Sequence, residues 1–140
     1  MNVNQILVTP LKRIPNIHGD ILHVMKNIDA GYLNFGEVYF SIIKKGAIKA
    51  WKRHLRMTLN LVVPVGNVQF VFMDDKRNFR VETVGEGNYV RLTVPPCIWF
   101  GFIGLESPQS LLMNCADIPH EPDEIERKEL EAIAFEWSQF

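Results

Sequence analysis

The chain has 140 residues, of which 47% are hydrophobic and 22% charged, with a formal net charge of −1. That is enough chain for one domain with a sizeable core, and the near-balance of charge excludes a nucleic-acid binder that works by bulk positive potential. No apolar run reaches the ~20 residues needed to cross a membrane. Met1 to Lys12 lacks a charged-then-apolar leader pattern, so a cytoplasmic protein is expected.

In chain order, Gly19 to Lys26 reads as a strand or a turn, with both open. Glu37 to Ile43 is β-branched and aromatic and stops at Lys44-Lys45-Gly46. Leu59 to Val65 and Val68 to Met73 flank Gly66-Asn67, a spacing that predicts a hairpin. Arg80 to Val84 and Tyr89 to Val94 alternate polar and apolar, separated by Gly85-Glu86-Gly87-Asn88. Trp99 to Ile103 and Ser110 to Cys115 complete a series of short strands that predicts a sandwich or jelly-roll barrel. The tail from Glu121 to Trp137 is acidic and partly follows helical spacing, with Pro122 suited to a first turn. A short C-terminal helical segment is therefore expected. No repeat or linker divides the chain, so residues 1–140 are read as a single domain. Cys97 and Cys115 have no C-x-x-C spacing.

Two segments carry a resemblance. Gly46-Ala-Ile-Lys-Ala-Trp-Lys52-Arg-His54, closed by Gly66, is similar to the first cupin motif. Lys52 stands at that motif's first His, His54 keeps the second, and no Glu lies between His54 and Gly66. Pro95-Pro-Cys97-Ile-Trp-Phe100 is similar to the second motif, Pro-x-Gly-x-x-His, with Phe100 at the His position and Asn114 near the trailing Asn. More widely, Thr9-Pro-Leu-Lys-Arg-Ile, Phe35-Gly-Glu-Val-Tyr-Phe-Ser41, Ile48-Lys-Ala-Trp51, Phe72-Met-Asp-Asp-Lys-Arg77, Val94 to Phe102 and Asn114 to Glu124 resemble, in this order, the dTDP-4-dehydrorhamnose 3,5-epimerase family. The resemblance implies an all-β cupin-type jelly-roll barrel. It also implies a homodimer sharing an N-terminal strand, and a nucleotide-linked 4-keto-6-deoxy sugar bound in the barrel mouth.

Epimerisation beside a ketone needs a base for the acidified C–H, stabilisation of the enolate, and an acid on the opposite face. In the resembled family these are a His oriented by Asp, a Lys and a Tyr. The family's base position aligns with Lys52, its phosphate-contacting Arg with Lys49, its Tyr near Met113, and its Lys among Leu59 and Asn60. Lys52 and His54 are therefore the expected proton-transfer residues: burial can lower a Lys pKa, and an imidazole titrates in the useful range. Lys49 and Arg53 are expected to contact a diphosphate, with Asn60, Trp99 and Asn114 as further substrate contacts. On a regular strand Lys52 and His54 share one face, and Lys49 and Arg53 the other. The plainer readings are a hydrogen-bonded structural His54, a solvated basic stretch around Lys52, and a core Trp99. Only one cupin metal ligand is kept, so neither metal nor other cofactor is expected. The functional expectation is an epimerase or keto-isomerase in surface polysaccharide biosynthesis. The alternative is a barrel that binds a sugar nucleotide or other small ligand without turnover.

Overall fold

A computed structural model describes residues 1–137. Two five-stranded antiparallel sheets face each other, and a separate two-stranded hairpin lies near the N-terminus. In chain order the strands are β1 (Leu7–Pro10), β2 (Arg13–Ile14), β3 (Ile21–Leu22), β4 (Glu37–Lys44), β5 (Ile48–His54), β6 (Leu59–Val65), β7 (Asn67–Met73), β8 (Phe79–Gly85), β9 (Val90–Val94), β10 (Trp99–Gly104), β11 (Gln109–Ala116) and β12 (Ile125–Arg127). Sheet I has the order β1-β9-β6-β11-β4 and sheet II the order β12-β5-β10-β7-β8, the jelly-roll arrangement expected from the sequence.

The main core lies between the sheets. Leu61, Val63 and Leu92 come from sheet I, and Phe70, Phe72, Phe100 and Phe102 from sheet II. Alternation along β11 sends Leu112, Asn114 and Ala116 inward and Met113 and Cys115 the other way. Along β4, Val38, Phe40 and Ile42 are exposed, while Ile43 is buried. Strand β10 is buried at every position because its outer face is also covered, by a second cluster of Trp51, Val71, Met73, Trp99 and Ile133.

One sequence expectation needs correction and one becomes more specific. Strands β6 and β7 do not form a hairpin: β6 pairs with β9 and β11, while β7 pairs with β8 and β10. Gly66, at φ 89°, turns the chain from one sheet into the other. A Cβ there would lie 2.2 Å from Ser110 Oγ, so a side chain could not follow this corner. The tail does contain helical turns, but each is a single 3-10 turn, Pro122–Glu124 and Leu130–Ala132, with strand β12 between them. Packing against the edge of β5 overrides the local helical spacing. The open segment Gly19 to Lys26 includes the short strand β3. Strand β1 pairs with β9 of its own chain.

Candidate active site

The site is built on an irregularity in β5. Lys49 pairs with Phe102 and Ala50 with Gly101, yet Phe100 pairs with Lys52, so one extra residue, Trp51, is accommodated as a bulge. The bulge resets the alternation. Lys49 and Lys52, three positions apart, both line one cavity between the sheets, and His54 stacks on Phe100 in the same interior. Trp51 sends its indole to the outer face, and Arg53 also points outward, where its guanidinium lies 4.8 Å over the Trp99 ring and pairs with Asp75 and Glu126. The regular-strand expectation that joined Lys49 to Arg53 therefore fails, and the bulge is the reason.

The cavity measures about 670 Å³ and is bounded below by Leu59, Leu61, Phe100, Phe102 and Leu112. Its rim carries Lys49 and Lys52 from β5 and Arg127 from β12, which sits opposite Lys52 in the register, with Glu129 as the carboxylate among the lining residues. Lys49 Nζ donates to the Ile42 carbonyl at 2.8 Å and to Ser41 Oγ at 3.2 Å, which pins it to β4. Lys52 is different. Its ammonium lies 6.0 Å from the Phe100 ring, and it has no protein acceptor among the described residues. Burial lowers its pKa below the ordinary lysine value. The Arg127 charge lowers it further, against the opposing pull of Glu124. Across the cavity, Tyr39 of β4 accepts a hydrogen bond from Asn114 Nδ2 at 3.1 Å, and Asn114 Oδ1 accepts from the Asn60 amide at 3.1 Å.

Below Phe100 lies a buried pair. His54, 3% exposed, bonds through Nδ1 to the Glu124 carboxylate, which also accepts from the Arg56 and Met57 amides at 3.2 Å. Burial pushes the His54 pKa down. The bonds from His54 and the two amides outweigh burial at Glu124 and hold its pKa below the usual carboxylate value. The pair is therefore a neutral imidazole donating to a carboxylate, and His54 Nε2 is left buried without a hydrogen-bond partner among the described residues.

Of the residues singled out from sequence, Lys49, Lys52 and Asn114 line the cavity. His54 lies behind it, stacked 6.2 Å from Phe100. Arg53 and Trp99 are on the outer face of sheet II. Asn60 faces out of sheet I: its side chain donates to the Gly31 carbonyl and accepts from Arg91 and Thr93. Met113 alternates away from the cavity that Asn114 faces. Sequence reasoning missed Tyr39 and Arg127. Tyr39 could have been found from its two-residue spacing to Ser41 on a recognised strand. Arg127 was hidden because its segment carries helical spacing. Among the described residues, no group of three or more His, Cys, Asp or Glu is placed to hold a metal.

Fold and cavity together define a cupin-type barrel whose interior cavity is rimmed by cationic side chains. No protein-family model matches the chain. A dTDP sugar isomerase from Desulfovibrio desulfuricans G20 has a solved structure that is 36% identical in sequence, covers 93% of this chain and 87% of its own, and superposes with a TM-score of 0.89. The chain belongs to this family of dTDP-sugar isomerases and related epimerases. The probable low-salt glycan biosynthesis epimerase Agl13 of Haloferax volcanii is 26% identical over 121 residues, 81% of this chain and 78% of the relative. The dTDP-4-dehydrorhamnose 3,5-epimerase of Sulfolobus tokodaii shares the fold at 21% identity and a TM-score of 0.83, over 96% of this chain and 84% of its own.

Proposed function

We propose that the protein acts on a dTDP-linked 4-keto-6-deoxy sugar as an epimerase or keto-isomerase, through an enolate, in the synthesis of a surface polysaccharide. The observation that carries this reading is Lys52: an amine with a depressed pKa and no protein acceptor among the described residues, facing a cationic cavity, in a chain 36% identical to a dTDP sugar isomerase. Lys52 in its neutral form takes the proton from the carbon next to the ketone, and becomes ammonium as the enolate forms. Lys49 and Arg127 supply positive charge for the diphosphate and for the developing oxyanion. Tyr39, reaching in from the opposite sheet and oriented by Asn114, is the acid that returns a proton to the other side of the carbon. The Lys52 and Tyr39 protons then re-equilibrate through water. His54, fixed by Glu124, supports Phe100 beneath Lys52 and acts as a positioning residue. Arg53, Asn60 and Trp99 fall outside the substrate contacts in this reading, because their partners are on the outer faces.

The reading includes a cytoplasmic homodimer. Val38, Phe40 and Ile42 on the outer side of edge strand β4 are exposed apolar side chains of the kind that a second copy would cover, and so, separately, are Ile17 and Ile21 of the β2–β3 hairpin. The test of function is incubation with dTDP-4-keto-6-deoxyglucose in deuterated water. Deuterium entering beside the ketone, and lost in Lys52→Met, supports turnover. Thermal stabilisation by dTDP without any exchange favours the binding module instead.

A further inference from the structure

Strand β12 is a weak element with an important position. It spans only Ile125–Arg127 at the edge of sheet II, yet it brings Arg127 to the cavity rim beside Lys52 and Glu124 to His54. Among the described residues no carboxylate pairs with Arg127, so hydrogen bonds to β5 are what hold its backbone in place. A three-residue edge strand held on one side is prone to open locally.

The chain beyond β12 compensates for this. Lys128 and Trp51 exchange backbone hydrogen bonds at 3.0 and 3.1 Å, extending the ladder past the bulge. Trp51 Nε1 then donates to the Leu130 carbonyl at 3.0 Å. From there residues 130–137 cross the outer face of sheet II as a strap. Ile133 is buried against Trp51, Val71, Met73 and Trp99. The Phe135 ring lies 5.6 Å from Phe79 on β8 and 5.1 Å from Trp137, and Trp137 lies 5.3 Å from Trp51. Trp137 also rests on Gly101, where a Cβ would come within 3.1 Å of its ring. Lys128, which lines the cavity beside Arg127, carries its ammonium to a point 4.7 Å over the Trp99 ring.

We propose that Phe135 and Trp137 are positioning residues for phosphate binding: by clasping the outer face through Trp51, they keep β12 paired and hold Arg127 at the cavity rim. Residues 130–137 do not line the cavity, and the route by which the strap reaches the phosphate is Arg127. This rests on the dTDP-sugar reading for the identity of the ligand, but the clasp itself does not depend on it.

The experiment uses the full chain and the variants Trp137→Ala, Phe135→Ala, Arg127→Gln and Trp137→Ala/Arg127→Gln, with dTDP and thymidine as probes in calorimetry. Trp137→Ala should weaken dTDP binding about tenfold, one decade of affinity, and leave thymidine, which lacks phosphate, within about twofold. Adding Arg127→Gln to Trp137→Ala should cost little more than either alone, because both remove the same contact. Hydrogen exchange at the amides of residues 126–128 should accelerate in Trp137→Ala and Phe135→Ala while β6, β7 and β9 stay protected. A folded Trp137→Ala with unchanged dTDP affinity, or losses that add in full with Arg127→Gln, would overturn the proposal. If the wild type does not bind dTDP, the ligand reading fails. The exchange measurement then decides the clasp alone, and unchanged protection of residues 126–128 refutes it. If Trp137→Ala does not fold, the milder Phe135→Ala carries the same comparison.

Discussion

Two interior cations, Arg91 and Lys52, occupy opposite situations in the same barrel. Arg91, 0% exposed on the outer side of sheet I, has a partner for every arm of its guanidinium: Asn60 Oδ1 at 3.1 Å, the Val24 carbonyl at 2.6 Å and the Ala30 carbonyl at 2.7 Å, with Asp29 at 3.8 Å. It fastens the segment that covers β6 and β9. Lys52, on the inner side of sheet II, has an aromatic ring beneath it, a repelling Arg127 beside it, and no acceptor among the described residues. A buried charge with a full set of partners is structural. One left without them is destabilised as a cation, and so is available as a base.

This contrast can be broken at several points. The largest effect expected is on turnover in Lys52→Met, a loss of roughly 10²- to 10⁴-fold in deuterium exchange, with thermal stability unchanged or higher because a poorly solvated charge has been removed. Arg91→Met should behave in the opposite way. It leaves the Val24 and Ala30 carbonyls without their guanidinium donor, while Asn60 Oδ1 keeps the Thr93 hydroxyl, and should cost about 3 kcal/mol in urea unfolding, while the rate per folded molecule is preserved.

A smaller effect concerns pH. His54 has a folded-state pKa below its unfolded value, so protonation favours the unfolded chain. Its contribution to stability is complete above the unfolded imidazole value of about 6.5 and is lost as pH falls below it. Glu124, also depressed, adds a further loss at more acid pH as its carboxylate protonates. The urea midpoint should therefore fall between about pH 7 and pH 5. In His54→Gln that slope should flatten, and an unchanged slope would contradict the neutral-imidazole assignment.

The smallest expected effect sharpens the comparison most. Arg127 helps to lower the Lys52 pKa, so Arg127→Gln should raise it. The rising limb of the pH–rate profile, which reports the neutral amine, should then move to higher pH. A limb that stays in place would remove Lys52 as the titrating base.

Much of the fold was legible in the sequence because strand alternation and turn residues are local signals. The runs at Glu37 to Ile43, Tyr89 to Val94 and Ser110 to Cys115 lie within β4, β9 and β11 or extend them by one residue. The resemblance around Gly46 to His54 and Pro95 to Phe100 pointed to the barrel that these strands form. The Gly66 turn was also visible, but not its consequence: a tight turn reads as a hairpin whether the strand after it pairs back or crosses to the other sheet. Lys49, Lys52 and Asn114 could be named because they lie on motif segments, and all three line the cavity.

What the sequence determined by itself was which residues alternate, where the chain turns and which basic side chains lie on one strand. Only the tertiary structure decided which of them meet. The bulge at Trp51 brought Lys49 and Lys52 to one face and sent Arg53 to the other. Cross-sheet packing set Tyr39 facing them, pairing along β5 turned a helix-like tail into the strand that carries Arg127, with Glu124 in the turn just before it, and burial left Lys52 without an acceptor among the described residues. The physical reason is that a pKa and a binding surface are properties of the surroundings of a side chain, and those surroundings are assembled from segments that local sequence does not link.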